Sequence, residues 1–390
     1  MKGQLRHLRD AGFDVTVVTA PGPALDRVRA GEGVNAIAVP MIREIASRRD
    51  VLSLWRFWRV MRRVRPVLTN VSTPKAGLLG GIAAWLSRVP CRVYTLRGLR
   101  SETTSGLKRR LLWLSERLAC SCAHRVLCVS ESLRQKALAL RIVDAKRALV
   151  LGQGSSHGVD VDRFGPSPEL SQRALLLRNR LAIPPGAQVL GFVGRLTRDK
   201  GIPELLDGYD RLLSAFPNVR LLLVGDFEEG DPIDPLLRKR IETDPKILRS
   251  GFVEEIEAYY QIMNVLVLPT YREGFPNVIL EAHAAGKPVV ATRATGVVDA
   301  VIDSVTGILV GIGDSEELAT AVASVLKDEA LAARLGNAGR ERVLRQFRQE
   351  LIWDALLEEY RALLRTKGQP LPEVSDGDTV PAMARVYGQS

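Results

Sequence analysis

The sequence predicts an α/β protein made of two doubly wound, parallel-sheet domains that face each other across a cleft, and three observations predict it. Its 390 residues exceed what one ordinary core organises and fit two domains plus a tail. Short β-branched runs alternate with amphipathic stretches of helical period through both halves. A hydrophobic fraction of 46% beside 25% charged residues supplies enough apolar side chain for both cores.

In the first half, residues 14–19, 36–39, 66–71, 91–96 and 125–129 read as strands, with residues 51–64 and 77–86 as covering helices. In the second half the strand runs are 188–193, 219–224, 265–268 and 288–291, each followed by a loop and a helical pattern. Residues 158–168, with aspartates, glycine and prolines, read as a linker. The expected division is an N-terminal domain over 1–165, a C-terminal domain over 166–347, a terminal helix over 348–365 crossing back to the first domain, and a loose tail over 366–390. One departure stands out. A doubly wound sheet opens on a central strand, whereas this chain opens in what reads as the first helix, so the first strand of the N-terminal domain is expected to be missing.

Charge is divided unevenly between the halves. Residues 1–165 hold 29 Lys and Arg against 12 Asp and Glu, the remainder 26 against 32, and no acid occurs from Val51 to Arg100. Such a basic half attracts polyanions: nucleic acid, an anionic bilayer face or a phosphate-bearing substrate. Nucleic acid is not expected, since no aromatic-and-basic sheet motif or recognition helix is visible. No run approaches the ~18 apolar residues of a membrane span, and residues 1–8 are polar, without the apolar stretch of a secretory signal, so the expected location is cytoplasmic. Cys91, Cys120, Cys122 and Cys128 lie in apolar surroundings without zinc-ligand spacing and read as buried free thiols. The four histidines, His7, His124, His157 and His283, are isolated from one another, so no metal centre is expected.

Two stretches carry chemistry. In GFVGRLTRDKG, residues 191–201, a hydrophobic strand ends at Gly194, Arg195 sits at its carboxyl end, and Lys200 and Gly201 precede a helix. Ligands of open parallel sheets bind at this edge; there, glycine, a helix start and two cations suit a diphosphate. An exposed turn with solvated cations is the other reading of this stretch taken alone. After the strand at 265–268 comes PTYREGFPNVILE, in which Pro276 fits the first position of a helix, Glu273 lies in the preceding loop and Glu281 more than a turn inside. Two carboxylates so placed beside a helix start can accept hydrogen bonds from sugar hydroxyls. A surface loop with a solvated helical Glu is the alternative here.

Glu273, seven residues, then Glu281, with Gly-Phe-Pro after the first and GRLTRDKG about eighty residues earlier, resembles glycosyltransferase family 4, the retaining enzymes of GT-B architecture. VLGQGSSHGVDVDRF, residues 150–164, is similar to the segment that enters the second domain of such enzymes, and the resemblance extends to about residue 365. It implies that Arg195 and Lys200 neutralise the diphosphate of a nucleotide-sugar donor, UDP being the expected nucleotide. It implies further that Glu281 holds the ribose hydroxyls and Glu273 contacts the transferred sugar. The stretch Gly274, Phe275, Pro276, Asn277 and Val278 would bind the donor, with backbone N–H groups around Phe275 to Val278 meeting the sugar or phosphates. Phe252 and Val253 would border the nucleobase, and Gly194 and Gly225 would line the same cleft. Catalysis is assigned to Glu273, Arg195 and Lys200, with no cofactor and no metal.

The N-terminal domain is expected to choose the acceptor. TPKAGLLG, residues 73–80, and YTLRGL, residues 94–99, look like the subgroup that builds bacterial surface polysaccharides, often on lipid-diphosphate-linked sugars. Many relatives carry His where this chain has Arg97; Arg97, Arg100 and Lys75 would instead suit an acceptor diphosphate, with solvated surface cations as the alternative. RRDVLSLWRFWRVMRRVR, residues 48–65, interleaves Trp55, Phe57, Trp58 and Met61 with arginines, as in a helix resting on an anionic membrane or one covering a sheet. The combined expectation is a peripheral enzyme at the inner membrane face using a polyprenyl-diphosphate-linked acceptor. A catalytically impaired binding protein of the same fold, or a transferase for a soluble acceptor, stands as the alternative.

Overall fold

A computed structural model describes residues 3–41 and 47–373. The first lobe runs α1 (Gln4–Asp10), β1 (Thr16–Thr19), α2 (Pro23–Gly31), β2 (Asn35–Ala38), α3 (Ser47–Val64) and β3 (Leu68–Ser72). It continues with α4 (Pro74–Leu86), β4 (Cys91–Leu96), α5 (Gly106–Cys122), β5 (Arg125–Cys128), α6 (Glu131–Ala139) and β6 (Ala148–Leu149). The second lobe runs α7 (Val161–Phe164), α8 (Pro168–Arg180), β7 (Val189–Val193), α9 (Ile202–Leu213), β8 (Arg220–Val224) and α10 (Pro235–Thr243). Then come β9 (Ile247–Gly251), α11 (Glu257–Ile262), β10 (Val265–Leu268), α12 (Asn277–Ala284), β11 (Val289–Thr292) and α13 (Val297–Ala300). The chain ends in β12 (Ile308–Val310), α14 (Ser315–Lys327), α15 (Glu329–Gln346) and α16 (Gln349–Thr366).

The second lobe is one six-stranded parallel sheet of order β12-β11-β10-β7-β8-β9. Its middle strands are fully buried runs, VLGFV, VLVL and VVAT, as a sheet covered on both faces requires. The order reverses direction beside β7, and a doubly wound sheet opens its ligand crevice at such a point. The first lobe holds a parallel sheet of order β3-β4-β5-β6 and a separate pair β1-β2. The two are not hydrogen-bonded to each other among the described residues. Thr16, Val18, Phe57, Leu68 and Asn70 line the cavity there, which has a volume of about 1710 Å³ and runs on to the cleft between the lobes.

The nine strands read from sequence all form, with ends displaced by a residue or two; β6 and β12, of two and three residues, and β9, whose Arg249 and Ser250 break the apolar run, were not among them. The linker reading of residues 158–168 is corrected. Val159, Val161 and Phe164 belong to the core of the second lobe, and Phe164 packs edge-on against Tyr260 at 5.6 Å. Residues 161–164 form a helical turn capped by Asp160, which accepts a hydrogen bond from the Arg163 N–H at 3.1 Å. The chain therefore passes into the second core by residue 159, earlier than 165; aspartate and glycine between the apolar positions mask that burial. Pro276 is likewise the residue that caps α12 rather than its first helical residue. Of the tail, residues 374–390 lie outside the described residues, as does the side chain of Arg48.

α16 returns to the first lobe. Leu356, Leu357, Tyr360, Leu363 and Leu364 share a core with Leu8, Cys91, Val93 and Leu127. The Tyr360 hydroxyl accepts from Asn70 Nδ2 at 2.6 Å, and Arg125 Nε meets Glu359 at 3.1 Å. All four cysteines are buried and free. Leu363 is 1% exposed in this seam, so Leu363→Ala is expected to cost about 2–5 kcal/mol in chemical denaturation. A loss below about 1 kcal/mol would show that α16 contributes little to holding the first lobe.

Candidate active site

Two loops build the site, because β7 and β10 are neighbours in the sheet and both end at the same edge. After β7 the chain passes Gly194 and Arg195, makes a tight turn at Arg198–Lys200 and starts α9 behind Gly201. Gly201 has φ 73°, and a Cβ there would lie 1.9 Å from the Pro269 carbonyl oxygen, so this turn approaches the β10 loop as only glycine permits. Asp199 sews the two loops together: its backbone oxygen accepts from Tyr271 N at 2.9 Å, and its carboxylate meets Arg272 at 2.8 Å. Burial works against ionisation of Asp199, but the Thr197 hydroxyl, Arg272, Lys200 and Arg195 outweigh it and hold the carboxyl below its usual range.

Lys200 thereby meets Glu273 in a direct ion pair, the two side chains only 13% and 17% exposed. Arg195, half exposed, is paired with Glu228 from the loop after β8. Gly194 and Gly225 end the adjacent strands β7 and β8, with Gly194 N donating to Val224 O at 3.0 Å. Glu281, in the second turn of α12, accepts a hydrogen bond from the buried Tyr260 hydroxyl at 2.6 Å and borders the inter-lobe cavity. Burial, only partly offset by Tyr260 and Arg163, raises its carboxyl to about 7. Phe252 is an exposed ring whose backbone N–H donates to Asp226 at 3.1 Å, while Val253 packs on the core.

The segment Gly274–Val278 meets the first lobe. A Cβ on Gly274 would lie 2.0 Å from the Arg97 carbonyl oxygen, and the Ser130 hydroxyl donates to Gly274 O at 2.7 Å. Phe275 packs against Phe347 with ring centres 5.4 Å apart. Asn277 lies 2.6 Å from His157 Nε2 and accepts from the Ser155 hydroxyl at 3.0 Å. Burial, with Arg97 adding to it, lowers His157 to about 3, so this imidazole is neutral at ordinary pH. Further bonds cross the cleft from Thr295 to Glu102 at 2.8 Å and from Arg272 to Thr103 at 2.9 Å.

Of the acceptor candidates, Arg97 lines the inter-lobe cavity, and burial lowers its pKa. Lys75 is instead bound to Asp50 of α3 at 2.5 Å and does not border that cavity; Arg100 is exposed at the start of a short turn. The three are not brought together. Sequence reading missed Asp199, Glu228, Tyr260 and His157. Asp199 stands inside the cation motif, but nothing in the sequence ties Tyr260 to Glu281 across 21 residues. Among the described residues no cluster of His, Cys, Asp or Glu could hold a metal ion, and no helix is long and apolar enough to cross a membrane.

Paired lobes of this kind, meeting at the carboxyl edge of the second sheet, are a GT-B architecture. The solved structure of Anabaena Alr3699/HepE in complex with UDP-glucose superposes with a TM-score of 0.76 at 22% identity, covering 93% of this chain and 96% of that one. Family models for a glycosyl transferase 4-like domain and for glycosyl transferases group 1 match residues 1–154 and 175–342. The capsular polysaccharide biosynthesis glycosyltransferase CapM of Staphylococcus aureus is 36% identical over 366 residues, 94% of each chain. An Escherichia coli UDP-Gal:alpha-D-GlcNAc-diphosphoundecaprenol alpha-1,3-galactosyltransferase is 26% identical over 82% of this chain and 81% of its own. The chain belongs to glycosyltransferase family 4.

The raised Glu281 carboxyl sets a pH dependence. Its folded pKa of about 7 lies above the unfolded value of about 4.3, so the unliganded fold binds that proton more tightly and loses stability as pH rises between the two. Glu281→Gln keeps the shape and removes the titration. Denaturant melts from about pH 4 to 8 should show the variant gaining on the parent by up to about 3 kcal/mol, levelling above pH 7; parallel curves would refute the burial cost.

Proposed function

We propose that the protein is a retaining, metal-independent hexosyl- or N-acetylhexosaminyltransferase. It carries a sugar from a nucleotide-sugar donor, with UDP as the nucleotide, to a lipid-diphosphate-linked saccharide in polysaccharide assembly. The observation that carries the reading is the convergence of Lys200 and Glu273 at the ends of β7 and β10, with Glu281 on the helix that follows. In this reading the donor diphosphate takes Lys200 from Glu273 and Arg195 from Glu228. Each cation then forms a charge-assisted bond to phosphate, and Glu273 is released towards the sugar hydroxyls. Glu281 accepts from the ribose hydroxyls.

Transfer breaks the bond between the anomeric carbon and the phosphate oxygen, and the bond's electron pair leaves with the diphosphate. Lys200, Arg195 and the N–H groups at the α12 start stabilise that growing charge. The acceptor hydroxyl attacks from the face the diphosphate vacates and gives its proton to a leaving phosphate oxygen, so no glycosyl-enzyme forms and the configuration is retained. The cations supply the charge that a divalent ion supplies elsewhere. The relatives from S. aureus and E. coli, one named for capsular polysaccharide and the other for a diphosphoundecaprenol acceptor, support the acceptor class. A membrane-borne acceptor places the protein at the cytoplasmic membrane face without nucleic acid as partner. The parted sheet of the first lobe favours a second reading, a binding protein with impaired turnover.

Slow release of UDP from a matched UDP-sugar separates the two, because hydrolysis needs only the donor half. Lys200→Ala and Glu281→Ala are each expected to lower kcat/KM for that release by about 100-fold or more, with the fold retained by circular dichroism. Near-normal turnover in both variants would overturn the site, and no UDP release by the parent from any UDP-sugar would favour the binding protein.

A further inference from the structure

Among the described residues, the strongest surface without a partner lies on the first lobe, on helices that the proposed donor chemistry leaves unused. On α5, Leu107, Leu111, Leu114 and Leu118 are 72, 52, 56 and 46% exposed. Their spacing of four, three and four residues places them in one line along the helix. Glu116, Ala119 and Cys120, buried in the sheet-facing side, mark the opposite face. A leucine stripe that leaves about half of its surface in water marks a surface suited to an occupant.

α3 repeats the arrangement. Val51, Trp55 and Trp58 are exposed at the same spacing, while Ser53, Phe57 and Met61 are buried beneath. α4 packs against both helices and ends in exposed Trp85 and Leu86 between them. Around these apolar lines stand exposed Arg59, Arg62 and Arg63 on α3 and Lys108, Arg110 and Arg117 on α5. Arg59 lies over the Trp55 ring at 4.8 Å. Carboxylates are withdrawn from this face: Asp50 is taken by Lys75, and Glu116 is buried under a hydrogen bond from the Tyr94 hydroxyl at 2.7 Å. A cavity of about 580 Å³ opens at the first turn of α5, lined by Leu107, Arg109, Arg110, Trp113 and Leu140.

We infer that α3, the end of α4 and α5 form one docking face for an anionic lipid bilayer, with the α5 leucine stripe entering the acyl boundary. Charge complementarity selects this occupant. Leucine and tryptophan lines flanked by Arg and Lys, with no exposed acid among the described residues of α3, α4 and α5, match an anionic headgroup layer over an apolar interior. The cavity beside Leu107 offers an apolar seat with exposed Arg109 and Arg110 in its lining, the chemistry of a lipid chain bearing an anionic head. The inference rests on the proposed membrane-borne acceptor and extends it from α3 to a specific second helix.

Flotation of the full chain with vesicles tests it. The parent should bind vesicles of phosphatidylcholine with about 40% phosphatidylglycerol, bind phosphatidylcholine alone weakly, and lose binding at high salt. Leu111→Glu with Leu114→Glu, and separately Trp55→Glu with Trp58→Glu, should each lower the bound fraction at least about tenfold. Both pairs lie outside the donor loops, so UDP release should stay at the parent value with the fold retained by circular dichroism, which separates this test from the donor-site assignment. Parent-like vesicle binding by the α5 pair, or none by the parent, overturns the inference. A parent dimer that the α5 pair dissolves, seen by light scattering, would assign the face to a second copy instead.

Discussion

The site depends on one costly arrangement: an ammonium and a carboxylate, Lys200 and Glu273, held together where little water reaches them. Each alone would be penalised by desolvation, and neither is fixed by packing. What fixes them is the sheet. β7 and β10 lie side by side, Gly201 lets the first loop press against Pro269, and Asp199 ties the first loop to Thr270, Tyr271 and Arg272 of the second. The unliganded protein thus keeps its cations neutralised by its own acids, Arg195 by Glu228 as well. In the proposed donor site a diphosphate takes their place without building a charged cavity from nothing, and exchanging partners costs less than ionising an empty site.

The first lobe is organised around a different constraint. Its strands form two separate sheets, and α16 from the chain's far end supplies much of the apolar cover over β3, β4 and β5. The lobes also touch directly across the cleft through Ser130, Thr103 and Glu102, so the loop that carries Glu273 is braced from both sides. Arg97 and His157 stand in that cleft, close to the segment that opens α12. This placement ties the first lobe to the loop that carries Glu273 through backbone contacts at Gly274 and the side chain of Asn277.

The inner strands of the second lobe were legible in sequence because they are buried on both faces and read as unbroken apolar runs, whereas β9 and β12 at its edges were not. The pairing of Lys200 with Glu273 was foreshadowed by each residue's place just after a strand, since adjacent parallel strands bring their following loops together. Tyr260 beneath Glu281 and Glu228 beside Arg195 were not legible, because a helix-to-helix hydrogen bond and a loop-to-loop ion pair leave no periodic trace. Val159, Val161 and Phe164 were hidden differently: glycine and aspartate around them signal a linker, although the apolar residues between are core. Lys75 looked like a free cation until α3 placed Asp50 against it.

The most direct measurement of the central claim is a crystal structure of the full chain with UDP bound. The account predicts that Lys200 Nζ leaves Glu273 for a phosphate oxygen, within about 3 Å, while the ribose hydroxyls sit on Glu281. Density for UDP elsewhere, with Lys200 still on Glu273 and Arg195 still on Glu228, would contradict it.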